Sequence, residues 1–178
     1  MKKLVLILLA LSMVLFLTGC DGGGSGGGGG DSSAFDADYN AISGGSSKYV
    51  INDIVGRTDP PISDFTRVDG GIKFKEDTGI GNISVEINIT IFLNADNKFA
   101  SKEGGKIDGD SIGNFEYTGT WSREGTTITM TATKEKDLDT GKVKDCNIVV
   151  KTEISNDEST LTDLEIHGEA GSKYIYKK

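Results

Sequence analysis

The sequence is poor in the residues that build metal sites, disulfide frameworks and acid–base active sites. Its 178 residues include two cysteines, one histidine, two prolines and one tryptophan. Two cysteines are too few for a disulfide framework or a four-thiolate zinc site. One histidine excludes a multi-histidine metal site and leaves little for acid–base chemistry. We therefore expect no metal, no cofactor and no catalytic residue, and we expect that the protein is not an enzyme.

Positive charge is also scarce. The chain has 19 Lys and Arg residues against 27 Asp and Glu residues, which gives a formal net charge of −8. A protein that binds nucleic acid needs a basic surface to neutralise phosphates, so this charge balance argues against a nucleic-acid partner. The length suits one domain of ordinary size.

The longest apolar run lies at the N-terminus and is short for a stable membrane span. Lys2 and Lys3 precede residues 4–17, all of which are apolar except Ser12, and Leu17-Thr18-Gly19-Cys20 follows. A positive start, an apolar stretch of about 14 residues and a small residue before the cut site are typical of a secretory signal peptide, whereas a membrane span needs about 20 apolar residues. This pattern predicts a signal peptide over residues 1–19.

Residues 17–20 resemble the lipobox of bacterial lipoproteins. The resemblance implies cleavage before Cys20, a diacylglycerol thioether on its sulfur and acylation of its new amino group. Two or more acyl chains anchor a protein stably in a membrane. The expected location is therefore the bacterial cell envelope, lipid-anchored outside the cytoplasm. Asp21 resembles the enterobacterial signal for retention in the inner membrane, but other bacteria read this position differently, so the choice of membrane stays open.

A tether is expected between the anchor and the folded domain. Residues 22–30 are glycine except for Ser25, and residues 31–47 continue in small and polar types, with Phe35, Tyr39 and Ile42 as the only sizeable apolar groups. A segment of this composition cannot build a core. We therefore predict a disordered Gly/Ser-rich tether over residues 20–47, including the lipidated cysteine, and a folded domain over residues 48–178.

The folded domain shows the period-two alternation of β-strands. From Ile83 to Leu93 the odd positions are apolar and the even positions polar, except for Phe92. This pattern predicts a long strand with one buried face, as in a tilted barrel strand. Similar alternation recurs in residues 115–121, 127–133 and 146–154, and in the final tyrosines. The residues that we expect to face the barrel interior are Ile87, Ile89, Phe115, Tyr117, Trp121, Tyr174 and Tyr176.

Turn signals separate these strands by short gaps, which favours antiparallel hairpins. Residues 102–114 are rich in glycine and are expected to form a longer loop. No long amphipathic helix is expected. The fold class that these patterns predict is all-β, with a single small antiparallel up-and-down barrel of about eight strands.

Three segments resemble the lipocalin-like domain of bacterial lipoproteins. They are the hairpin of residues 92–99, the Tyr-x-Gly-x-Trp strand of residues 117–122 and the Thr-rich strand of residues 125–131. The resemblance covers about residues 48–178. It implies a small up-and-down β-barrel.

Two functions from different classes are consistent with such a barrel. Interior side chains either fill the core or line a cavity. A cavity would favour a module that binds a small apolar or amphipathic ligand in the barrel mouth. A filled interior would favour a structural protein of the envelope, or an interaction module that binds another protein. Cys146 lies in phase with Ile148 and is expected to be a small buried hydrophobe, whereas His167 is expected to face solvent.

Overall fold

The structure is a computed structural model, and it describes residues 31–56, 61–164 and 173–178. Within these ranges one helix, α1 (Ser32–Ser43), precedes ten strands. The strands are β1 (Ser47–Val55), β2 (Ile62–Val68), β3 (Gly71–Asp77), β4 (Asn82–Leu93), β5 (Lys98–Ile107), β6 (Asp110–Glu124), β7 (Thr127–Asp137), β8 (Val143–Ile154), β9 (Thr160–Asp163) and β10 (Lys173–Lys177).

Eight of these strands close into one antiparallel barrel, which confirms the predicted fold class. The strands from β4 to β10 pair in sequence order, and β10 pairs with β1. β1 then pairs with β4 through residues 47–50 and 90–93, which closes the ring. Closure gives each strand of the ring a partner on both sides, although β1 pairs with β4 only over its first four residues.

The edge of β4 is shared between two neighbours. Its last residues pair with β1, whereas residues 82–88 pair with β3. The hairpin of β2 and β3 therefore enters the wall where β1 diverges from β4. Arg67 on β2 connects the hairpin to β1, because its Nη2 atom lies 3.0 Å from Oδ2 of Asp53 and its Nε atom 2.9 Å from the carbonyl oxygen of Asn52.

Large apolar side chains pack the middle of the barrel. The alternation predicted for β4 is observed, since Val85, Ile87, Ile89, Ile91 and Leu93 are all buried. The same core contains large side chains from most of the other strands, among them Ile72, Phe74, Phe99, Tyr117, Met130 and Tyr176.

The prediction that residues 31–47 are disordered is wrong for α1. Asp31 caps the helix by accepting a hydrogen bond from the Ser33 amide at 2.9 Å. Phe35, Tyr39 and Ile42 have the spacing of one helical face, and all three are buried. They pack on the outside of the barrel against Phe92, Ala100 and Val143. This contact also explains why Phe92 interrupts the alternation of β4, because its ring faces the helix instead of solvent.

The loop predicted over residues 102–114 is also wrong. Those residues belong to β5 and β6, which are joined by a tight turn at Asp108 and Gly109. Gly109 lies in that turn with a positive φ of 91°, whereas Gly104 and Gly105 lie within β5 beside close neighbours. A Cβ atom on Gly105 would lie 2.8 Å from the carbonyl oxygen of Glu86, and one on Gly104 would lie 2.5 Å from Oδ1 of Asn114.

Several predicted features lie outside the described residues. These are the signal peptide, Cys20 and residues 21–30 of the tether, together with His167. Within the described ranges, α1 is too short and too polar to cross a membrane as a helix.

Candidate functional site

One end of the barrel forms an open mouth. The turns at residues 94–97, 125–126 and 155–159 meet there, and backbone hydrogen bonds connect them to the neighbouring strands. The Trp121 amide donates to the carbonyl oxygen of Asn97 at 2.8 Å, and the Ile154 amide donates to that of Thr126 at 2.8 Å. These bonds hold the turns in place around the opening.

The mouth contains a pocket of about 260 Å³ with an apolar floor. Tyr49, Leu93, Ile128 and Ile154 line it and are buried in the core. Their side chains come from strands β1, β4, β7 and β8, so the floor depends on closure of the whole ring. The apolar floor offers surface against which the apolar part of a small guest molecule can pack.

Trp121 forms one wall of the pocket. Its ring packs against the core but remains partly exposed. Its indole Nε1 atom donates to the carbonyl oxygen of Asn94 at 2.9 Å, which joins the β6 strand to the β4–β5 turn. A half-buried tryptophan with its polar edge satisfied presents a rigid apolar face to the pocket.

Charged groups lie at the rim of the mouth. The Arg123 guanidinium forms an ion pair with Glu158 and donates from Nε to the carbonyl oxygen of Gly125 at 2.9 Å. The hydroxyl of Tyr49 donates to the carbonyl oxygen of Glu158 at 3.0 Å. Burial and the Glu158 carboxylate raise the pKa of Tyr49, so this phenol stays neutral. The site therefore combines an apolar floor with a polar rim that carries both signs of charge.

The β8–β9 turn that supplies Glu158 is held by its own hydrogen bonds. Asp157 accepts from the hydroxyl of Ser155 at 2.6 Å and from the hydroxyl and amide of Ser159. These bonds lower the pKa of Asp157 to about 2. Because the turn is fixed, the rim carboxylate of Glu158 has a defined position beside Arg123.

Of the seven side chains predicted to face the interior, one lines the mouth. Trp121 is that residue. Phe115 is half-buried against the core, and the other five are fully buried within it: Ile87, Ile89, Tyr117, Tyr174 and Tyr176. Sequence reasoning missed the floor of the pocket. Alternation in residues 83–93, 127–133 and 146–154 predicts inward faces for these strands, but only barrel closure brings Leu93, Ile128 and Ile154 together with Tyr49.

A second group of polar residues lies inside the barrel, and the sequence did not reveal it. Glu103, Glu135 and Asp163 are buried on three different strands. Ser101 donates to Oε1 of Glu103 at 3.1 Å, Tyr176 donates to Oδ2 of Asp163 at 2.9 Å, and Lys144 pairs with Glu135 at 3.2 Å. Alternation of Phe99, Ser101 and Glu103 could have indicated that Glu103 faces inward. The loop predicted from residue 102 onward interrupts this pattern, so the sequence does not reveal it.

Burial controls the charge of these carboxyl groups. Burial raises the pKa of Asp163 to about 7, although the hydrogen bond from Tyr176 acts to lower it. It also raises the pKa of Glu103 well above its usual value, an effect that the nearby Asp163 and Glu135 reinforce. Oε2 of Glu103 and Oδ1 of Asp163 have no hydrogen-bond partner among the described residues. Protonation lowers the cost of burying such groups.

The described residues contain no cluster of three or more His, Cys, Asp or Glu side chains that could hold a metal ion. Cys146 is only half-buried, and it packs against the core together with Ile148. The pocket in the mouth has neither a histidine nor a cysteine among its described lining residues. Comparison of the chain with protein-family models and with curated proteins finds no match.

Proposed function

We propose that the protein is a lipoprotein of the bacterial cell envelope whose barrel binds a small apolar or amphipathic ligand in its mouth. The observation that carries the ligand proposal is the pocket of about 260 Å³, with its apolar floor and the Trp121 wall. Ligand pockets usually measure about 300–1,000 Å³, so the mouth suits a small molecule or one end of a longer one. The Arg123–Glu158 pair would contact the polar end of such a ligand.

The membrane attachment in this proposal rests on residues 17–20. Lipidation of Cys20 would hold the chain at the membrane outside the cytoplasm, in either the inner or the outer membrane. The proposal includes no catalytic role, no cofactor and no nucleic-acid partner. Replacing Cys20 tests the anchor: Cys20→Ser is expected to abolish incorporation of labelled palmitate and to leave an uncleaved precursor. A Cys146→Ser variant, which changes the other thiol, is expected to be labelled and cleaved normally.

Trp121 offers a direct test of ligand binding, because it is the only tryptophan of the chain. Titration with medium-chain alcohols and carboxylic acids is expected to change its emission in a saturable way. Gly45 also lines the pocket, and a Cβ atom there would meet nothing within 4 Å. Gly45→Phe is therefore expected to fill the mouth and remove the response without unfolding the barrel.

Ala37→Phe serves as the matched control, because Ala37 is exposed on α1 and does not line the pocket. It is expected to keep the full fluorescence response. Equal responses from the wild-type chain and Gly45→Phe would place binding elsewhere and contradict the proposal for the mouth.

The alternative function is a structural or interaction module of the envelope. The observation that favours it is the filled middle of the barrel, where Ile87, Phe99 and Tyr117 are almost fully buried. A filled barrel would bind another envelope protein through its outer surface or its loops. Absence of any saturable Trp121 response to small amphiphiles would favour this alternative.

A further inference from the structure

A cationic groove lies on the outer side of β1, next to the mouth, with which it shares Ser47 as a lining residue. It has a volume of about 680 Å³ and lies where the outer face of β1 meets the end of β10 and the β2–β3 hairpin. The inward residues of β1, such as Tyr49, face the core, so the alternate residues Lys48, Val50 and Asn52 face the groove. The groove exists because β1 diverges from β4 after Val50 and the hairpin enters beside it.

Four of the side chains that line the groove are cationic. They are Lys48, Arg67, Lys177 and Lys178. Asp53 and Asn52 already engage Arg67, whereas the three lysines form no ion pair with any described residue. Lys178 also lies with its Nζ atom 5.8 Å from the centre of the Tyr49 ring. Three lysines without an ion pair among the described residues therefore line one depression of a chain whose net charge is −8.

Lysines without an ion pair among the described residues also occur outside the groove, at Lys73, Lys106, Lys142, Lys151 and Lys173, so the groove is distinguished by having three such lysines line one depression. Six lysines elsewhere pair with carboxylates: Lys75, Lys98, Lys102, Lys134, Lys136 and Lys144. The described residues that line the groove include no aspartate or glutamate, and the neighbouring Asp53 is paired with Arg67. Like charges brought close together repel one another, and an anion between them removes that repulsion. The arrangement is thus suited to an anionic guest.

We propose that this groove binds a phosphate group, carried either by a small soluble phosphate ester or by the head group of an anionic lipid. Lysine ammonium groups bind phosphate as compact charges with several donor hydrogens each. Val50 and Val68 also line the groove and offer apolar surface to the carbon skeleton that bears the phosphate. The net negative charge of the whole chain predicts repulsion from anionic groups, but screening over about 8–10 Å lets a local cluster act independently of distant charges.

Calorimetric titration of the purified full-length chain in a neutral detergent tests this proposal. The ligands are inorganic phosphate, glycerol 3-phosphate and short-chain phosphatidylglycerol, with short-chain phosphatidylcholine as the zwitterionic lipid. We expect saturable binding at low salt that weakens as the salt concentration rises. Binding of the soluble phosphates would identify a soluble ester as the source, and binding of phosphatidylglycerol alone would identify a lipid head group. Absence of binding for all these anions would overturn the proposal.

Two triple variants separate the groove from net charge. The first replaces Lys48, Lys177 and Lys178 with glutamine, and the second replaces the exposed Lys106, Lys142 and Lys151, which lie outside the groove. Both change the net charge equally. We expect at least about tenfold weaker binding for the first and little change for the second, since close charges dominate at these screening lengths. An equal loss in both variants, or no loss in the first, would overturn the proposal.

Discussion

Tyr176 donates a hydrogen bond from its hydroxyl to Oδ2 of Asp163 at 2.9 Å inside the barrel. The two residues lie on neighbouring strands, and both are almost fully buried. The second carboxyl oxygen of Asp163 has no hydrogen-bond partner among the described residues, so burial disfavours its ionised form. The stability of the barrel should therefore depend on whether Asp163 is protonated, and so on the pH.

The first prediction concerns stability between pH 5 and pH 8. Folded Asp163 holds its proton up to about pH 7, whereas an unfolded aspartate ionises near its model value of 3.8. Between these values the unfolded chain binds fewer protons, so the free energy of unfolding falls as the pH rises. We expect a loss on the order of 2–4 kcal/mol by pH 8, measured from urea unfolding midpoints. Glu103, whose pKa is also raised, acts in the same direction.

Asp163→Asn keeps an acceptor for Tyr176 and removes the ionisable group. It is expected to make the decline in stability smaller and to leave the part that Glu103 contributes, whereas Asp96→Asn, at an exposed turn, is expected to leave the decline unchanged. Carboxylates with lowered pKa values, such as Asp157, lose their contribution only as the pH falls toward that value, so they do not affect this window. A wild-type midpoint that stays constant from pH 5 to pH 8 would show that Asp163 is ionised in the folded protein.

The second prediction concerns Trp121. Its ring packs against the core at the mouth, and its Nε1 atom donates to Asn94. Trp121→Ala is expected to cost about 2–3 kcal/mol of unfolding free energy, less than for a fully buried ring, and Trp121→Phe about 1 kcal/mol for the lost hydrogen bond. Thr120→Ala, on the exposed outer face of the same strand, is the control and is expected to change little. If Trp121→Ala were as stable as this control, the Trp121 ring would not be packed against the core at the mouth.

The third prediction concerns the contact between α1 and the barrel. Phe35 is buried beneath the helix, and Asp36 and Asp38 pair with Lys136 and Lys98 of the wall. Limited proteolysis of the wild-type chain is expected to cut in the Gly-rich segment before Ser32 and to spare the helix. Phe35→Ala is expected to lower the protection of the α1 amides against hydrogen exchange by about 2–4 kcal/mol and to expose residues 32–43 to cleavage.

Ala37→Ser, on the exposed face of α1, is the control for this change and is expected to preserve the cleavage pattern. Cleavage of the wild-type chain within residues 32–43 at the rate of the Phe35→Ala variant would show that the helix does not hold to the wall in solution.

The fourth prediction concerns Gly119 on β6. A Cβ atom there would lie 2.0 Å from the carbonyl oxygen of Thr131 and 2.8 Å from the Phe99 ring. The carbonyl belongs to the backbone of β7 and cannot move without disturbing the ladder. Gly119→Ala is expected to cost about 3 kcal/mol, measured by thermal or urea unfolding. Gly45→Ala, where the new Cβ meets open space, is the control and is expected to be neutral or slightly stabilising. Equal stability of the two variants would contradict the close approach of β6 and β7.

The sequence by itself determined the fold class and the main strands. The alternation of residues 83–93 predicted β4, because period-two burial is a local property of a pleated strand and needs no knowledge of the partner strands. The short turn signals predicted hairpins for the same reason. The alternation around Tyr117 and the tyrosines of β10 likewise identified side chains that are buried in the core.

Only the tertiary structure decided which residues meet. The β1–β4 closure collects Tyr49, Leu93 and Trp121 at one mouth, although they are far apart in the sequence. The barrel wall orders α1, whose composition alone favours disorder, because packing supplies the apolar contact that the short segment lacks. Long-range register likewise brings Glu103, Glu135 and Asp163 into one interior and Lys48, Lys177 and Lys178 into one groove. Such groupings depend on contacts between distant segments, which local periodicity does not encode.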